Sequence, residues 1–257
     1  MIQSEKLLSI SQKLYTLTII TNPASATCTL SYNGTSHEGK SISVPSGTTV
    51  SYTINHETYG TETGTILMDK DKTLTCTGTY STISTDVSWS QPTLSSNGTW
   101  GSSTFAVKAD SEYNSSRATW HAFNGNGTTD WWSANTKNAY PINIYMYMST
   151  AVKITKLLIY NSNNSSQHNV TFFSAGTLDY SFNDSSWSSA CSWTNSTSAT
   201  AASWTISNSS NVYAKYWRLH ATAGTAYGST NQGLSEIYIT AYKQTTSYNY
   251  YWDKNIS

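Results

Sequence analysis

Apolar and polar residues alternate along most of this chain. Between Leu14 and Tyr80 the runs YTLTII, TCTLSY, SISV, TVSYTI and TLTCTGTY place apolar side chains at every second position, the period of a strand with one buried face. Turn formers punctuate them: Asn22-Pro23, Asn33-Gly34 and Pro45-Ser46-Gly47. An Asn-Gly pair between alternating runs is a strong hairpin signal, because both central residues of a two-residue turn need positive φ. Residues 14–83 therefore predict a small β-sandwich.

The second half carries the same period with longer runs. Pro141 to Asn161 (PINIYMYMSTAVKITKLLIYN) reads as two core strands, the second beginning near Val152, and Lys215–Leu219 and Leu234–Ile239 add two more. Long helical periodicities are few, so the chain is expected to be all-β. At 257 residues it fits two domains better than one, with a boundary near residue 84 and the second sandwich over 84–243. Residues 1–13 form an arm or attachment segment holding Ile2, Leu7, Leu8 and Ile10. Residues 244–257 are an aromatic tail (Tyr248, Tyr250, Tyr251, Trp252) that packs either on its own domain or on a neighbouring subunit, since such a patch left exposed is a liability.

Composition narrows the function classes. Aromatics reach 13% and charged residues only 11%, with 10 Trp and 19 Tyr, the reverse of a disordered chain. Fourteen basic residues balance fourteen acidic ones without a basic cluster, so nucleic acid and acidic membrane are excluded as partners. No apolar run approaches the length of a membrane span. Cys28, Cys76 and Cys191 are too scattered for a disulfide framework or a zinc site. Cys28 and Cys76 either face each other across one small sheet or, the preferred reading, stay as buried free thiols, which suits a reducing compartment. The N-terminus lacks the features of a secretion signal, so the chain is expected to be made in the cytoplasm and to reach the outside in a particle released by lysis.

Two resemblances refine the picture. Thr21-Asn22-Pro23-Ala24-Ser25-Ala26 and Ser46-Gly47-Thr48-Thr49 are similar to the pattern of PEGA domains, although the usual Gly-Tyr corner is inverted here as Tyr59-Gly60. Such modules act mostly as spacers. In the second half, Ala109–Tyr113, Ser116-Arg117-Ala118, HAFNGNGTTDWW (His121–Trp132), the strand pair of Pro141–Asn161, YSFNDSSW (Tyr180–Trp187), KYWRL (Lys215–Leu219) and LSEIYI (Leu234–Ile239) follow one another. In that order they resemble a discoidin domain, the galactose-binding-like jelly-roll β-sandwich also known as the coagulation-factor type C domain and the family-32 carbohydrate-binding module. The resemblance spans about 86–242.

That resemblance implies a calcium loop. Glycines at 125 and 127 permit positive φ and let carbonyls converge; Asn124, Asn126, Thr129 and Asp130 surround them, and Glu236 supplies a carboxylate for the oxygen shell of a hard cation. Asn124 stands where the family usually has Asp, which removes a charge and predicts a weak affinity, on the order of 10⁻⁴ to 10⁻³ M. The alternative is a loop held by Asn side-chain hydrogen bonds that binds nothing.

The ligand implied is a sugar, since aromatic faces stack on sugar C–H groups while Asn, His and Arg fix hydroxyls. Candidates in the loops are Trp187, Trp193, His168 and Tyr227, with Trp100 further off. Trp187 also sits where the family usually buries a tryptophan; Trp131, Trp217 and Phe123 read as core. The five histidines form no HxH or HExxH arrangement, and neither a GxSxG nor a P-loop occurs. The acid pairs conceivable for glycoside hydrolysis are Asp110 with Glu112 and Asp179 with Asp184; isolated acids are usually solvated, so no enzyme is expected. The reading is a non-catalytic phage virion appendage (tail fibre, baseplate or head fibre) that binds bacterial surface glycan beside other virion proteins, as a homo-oligomer. Its alternative is a structural decoration protein making only protein contacts.

Overall fold

The five alternating runs of the first half all become strands in the computed structural model, which describes residues 12–127, 129–133, 140–161, 172–195, 203–225 and 232–257. The protein is all-β and divides into two compact units, Met1–Ile83 with Thr246–Ser257, and Ser84–Thr245. Residues 1–11 of the expected arm lie outside the described residues.

In the first unit, β1 (Leu14–Asn22), β2 (Thr27–Tyr32), β3 (Thr35–Glu38), β4 (Ser41–Pro45), β5 (Thr49–His56) and β6 (Gly60–Leu67) precede β7 (Lys72–Trp89). β1 pairs antiparallel with β4 and parallel with β7. A second sheet runs β3-β2-β5-β6. Asn33 and Gly34 both take positive φ, 50° and 74°, and close the β2–β3 hairpin, as their residue types dictate. Alternation along β5 buries Val50, Tyr52 and Ile54 against Leu17, Leu30, Val44 and Leu74. Tyr52 faces Gly64 across the β5–β6 pair, where any Cβ would fall 2.4 Å from its hydroxyl. Cys28 and Cys76 are buried free thiols, and burial pushes the Cys76 thiol up to about 11.

The second unit holds β8 (Phe105–Ala109), β9 (Trp131–Trp132), β10 (Ile142–Asn161), β11 (Phe172–Ser181), β12 (Ser188–Thr194), β13 (Ser203–Ser207), β14 (Ala214–Thr225) and the start of β15 (Gly233–Ile256). β10 serves two sheets. Its first part pairs with β8 and β14; after a register shift between Tyr147 and Val152, its second part pairs with β13 and β15. The front sheet is thus β8-β10-β14-β11-β12 and the back sheet β13-β10-β15-β9. Between them lie Phe123, Trp131, Ile144, Met146, Leu157, Ile159, Trp217, Leu219 and Ile237.

β15 runs on into the first unit. Ser257 exchanges backbone hydrogen bonds with Thr73 at 2.9 and 3.0 Å. Trp252 is 7% exposed in the first unit's core, its indole donating to the Gly60 carbonyl at 3.3 Å. Trp252 thus packs on its own chain, while Tyr248, Tyr250 and Tyr251 stay 41–54% exposed.

Candidate functional site

The loop before β9 is fixed at both ends by fully buried rings, Phe123 and Trp131. Gly125 takes φ 66°, which only glycine adopts without strain. Asn124 organises the turn from inside: its Oδ1 accepts the Asn126 N–H at 2.8 Å and its Nδ2 donates to the Thr129 hydroxyl at 2.6 Å. The Thr129 N–H donates to the Asn126 carbonyl at 3.2 Å. Asp130, 1% exposed, pairs with Arg117 at 3.5 Å. Asn124 and Thr129 thus hold each other, as in the Asx-turn alternative.

Glu236, from β15, comes to the same loop. It is 1% exposed and neither carboxylate oxygen has a hydrogen-bond partner of ordinary geometry. Burial is the largest influence and pushes the carboxyl up to about 7, opposed by the Gly125, Ile237 and Asn126 amides, which favour its charge without closing such a bond. A buried carboxylate left in this state demands a proton or a cation. Such oxygens are of the kind a hard cation takes, and the loop turns the Gly125 and Asn126 amides toward them. Among the described residues no three His, Cys, Asp or Glu gather at one point, so most ligands of such an ion would be neutral oxygens.

The expected sugar-binding residues separate. His168 and Tyr227 lie outside the described residues. Trp193 is a correction: it is 7% exposed and packs on Trp204 at 4.9 Å between ring centroids. Its register partner is Gly176, where a Cβ would meet the Trp193 ring at 2.6 Å and the His220 carbonyl at 2.0 Å. A strand glycine thus makes room for the indole to lie on the backbone, and no ring face is left for a ligand.

Trp187 is different. The turn before it is closed by Asn183, whose Oδ1 accepts the Ser185 and Ser186 amides at 3.0 Å, with Asp184 at φ 62°. This places the half-buried Trp187 ring 4.8 Å from the Arg218 guanidinium and 5.6 Å from the Tyr145 ring. Phe182 on the same turn is 72% exposed.

Trp187 borders a pattern that periodicity alone did not reveal. Register lines up three rows across β8, β10, β14 and β11 on the outer face of the front sheet. The first is Ala106, Tyr147, Tyr216 and Ser181; the second Lys108, Tyr145, Arg218 and Asp179; the third Asp110, Asn143, His220 and Thr177. Trp100 covers the first row, 5.9 Å from Tyr147 and 6.0 Å from Tyr216. Its indole donates to Asp184 at 2.7 Å and its face carries the Lys108 ammonium at 3.9 Å. In the second row Arg218 donates from both Nε and Nη2 to Asp179, at 3.0 and 2.6 Å. The sequence signal was present: in INIYMYM and KYWRLH the polar and tyrosine positions are those opposite the apolar ones.

The conceivable catalytic acids all have other partners. Asp179 is tied to Arg218, Asp184 to Trp100 and Lys108. Glu112 accepts from Asn97 and from the Thr119 amide and hydroxyl at 2.6–2.9 Å. In the first unit Ser25 Oγ lies 3.2 Å from His56 Nε2, but the Thr58 N–H donates to His56 Nδ1 at 3.2 Å. That bond makes Nδ1 the acceptor, so Nε2 carries the hydrogen and cannot act as a base toward the serine.

No protein-family profile matches the chain, and no curated protein matches it in sequence. Among solved structures, a family 32 carbohydrate-binding module of Clostridium perfringens NanJ, in complex with galactose, is similar at 16% identity over 55% of this chain and 94% of its own, with a TM-score of 0.43. A fragment of a putative chitobiase from Bacteroides thetaiotaomicron gives 15% identity over 55% and 90%, with a TM-score of 0.48. Chitosan-binding module 2 of a Paenibacillus chitosanase/glucanase, in complex with chitotriose, gives 23% over 53% and 95%, with a TM-score of 0.40.

Proposed function

We propose that the Ser84–Thr245 unit binds carbohydrate and catalyses nothing, and that the chain is a phage virion appendage presenting this unit to bacterial surface glycans, with the first unit as a spacer. The observation that carries the reading is the Trp187 ring, partly open beside Arg218 and Tyr145 on a face rich in hydrogen-bonding groups. An apolar ring next to fixed donors and acceptors is what a pyranose requires. Low charge and single weak sites suit an appendage displayed in many copies, where linkage multiplies affinity. Calcium would be held by Glu236 with oxygens of Asn124, Asn126 and Thr129, its chemistry confined to neutralising the buried carboxylate and stiffening the loop.

The test is a glycan array probed with the whole chain, followed by titration of the best ligand against Trp187→Ala. Binding lowered at least about ten-fold by the substitution supports the reading; an array without a single ligand overturns it. The structural-protein reading has its own support in the first unit, where Tyr80, Tyr248, Tyr250 and Tyr251 are each 41–55% exposed. Substituting these tyrosines by serine would then block particle assembly while leaving any glycan binding intact.

A further inference from the structure

The third row of the front sheet ends at exposed Asp110, with His220 and Thr177 half-buried and Asn143 buried between them, and the charge of the face is unbalanced. Of the carboxylates on this face, Asp179 holds Arg218 and Asp184 lies 3.8 Å from the Lys108 ammonium. Asp110 receives only neutral donors: the Asn143 amide N–H at 2.9 Å, Asn143 Nδ2 at 2.8 Å and the Tyr145 hydroxyl at 3.0 Å. Among the described residues, three carboxylates against two cations leave one negative charge, at exposed Asp110.

The same bonds orient the neighbouring histidine. Asn143 gives its Nδ2 to Asp110, so its Oδ1 is the acceptor facing His220 Nδ1 at 2.6 Å. His220 therefore donates from Nδ1 and keeps a lone pair on Nε2, and no described residue bonds that atom. Arg218 and the Trp187 ring follow in the adjoining row.

We propose that this row is a subsite for an amino sugar, the ammonium on Asp110, a ring hydroxyl donating to His220 Nε2 and the apolar sugar face against Trp187. It rests on the reading that this unit binds carbohydrate. It differs in commitment, because it requires a cationic group on the ligand and places that ligand on the sheet face.

The experiment titrates the whole chain with three oligosaccharides: β-1,4-linked glucosamine, its fully N-acetylated form and a β-linked galactose oligomer. Glucosamine should bind, with the N-acetylated form about ten-fold or more weaker, since acetylation removes the charge and with it a charge-assisted hydrogen bond. Asp110→Asn should weaken glucosamine binding by a similar factor while leaving the unfolding temperature in place, and His220→Gln should weaken it too. If Asp110→Asn disturbs folding, chemical-shift changes on the natural chain decide, with Asp110, Asn143 and His220 expected to move. Glucosamine bound equally by Asp110→Asn, or bound no better than its acetylated form, overturns the subsite. Binding of galactose or N-acetylated sugar alone also overturns it and leaves the carbohydrate reading standing; a chain that binds none of the three and nothing on an array loses both.

Discussion

Two regions of the Ser84–Thr245 unit treat carboxylates in opposite ways. At the loop end, Glu236 is buried with no hydrogen bond of ordinary geometry to either oxygen, and burial drives its carboxyl up to about 7. On the front face, Asp110, Asp179 and Asp184 each meet donors at 2.6–3.0 Å. Asp179 is itself buried and has its charge met by Arg218, whereas a buried acid without such a partner is far costlier to ionise.

Several changes would break or sharpen this contrast. The largest is Trp131→Ala, because this ring ties the loop to the core at zero exposure. It should cost about 3–5 kcal/mol, read by urea unfolding of the second unit; a loss under about 1 kcal/mol would mean the loop stands apart from the core.

Next comes Glu236. Its folded carboxyl titrates near 7 against an ordinary 4.5. Between those values the native state keeps a proton that the unfolded chain has released, so stability should fall as pH rises through this window. The slope is about 1.4 kcal/mol per unit and the total on the order of 3 kcal/mol in the presence of a chelator. Glu236→Gln should flatten the curve. Millimolar calcium should restore stability near neutral pH in the natural chain alone; melting curves indifferent to chelator and calcium would remove the metal and leave the proton.

Arg218→Met should cost about 2 kcal/mol by stranding Asp179, which is 4% exposed. Adding Asp179→Asn should recover part of it, and full additivity in that double-mutant cycle would deny the pair. Smallest is Lys108→Met. The ammonium is exposed and screened, so the change should stay within about 1 kcal/mol, and a larger shift in melting temperature would show the front face to be structural.

Much of the fold was legible because strand period and turn chemistry are local. Asn33-Gly34 announced its hairpin, and the bend in β10 near Val152 follows from two apolar runs back to back. Phe123, Trp131 and Trp217 read correctly as core. Trp193 did not, because Ser and Thr neighbours look like surface; in a strand they only occupy the opposite face, and Gly176 as a landing site is a cross-strand fact invisible along the chain. The third row failed to appear for the same reason. Asp110, Asn143 and His220 meet through register, and nothing in a linear sequence marks which strands will lie side by side. Glu236 stands in a contiguous motif, but that its oxygens lack partners of ordinary geometry is a property of the packed site.

The division of the first unit between residues before 84 and residues after 245 fixes an order of assembly. A ribosome delivers β1 to β7 early, yet Trp252, which belongs in their core, emerges only after the whole second unit has been made. The later unit is therefore complete in sequence before the earlier one, and a shortened product ending before Trp252 should keep the whole second core while losing one buried ring of the first.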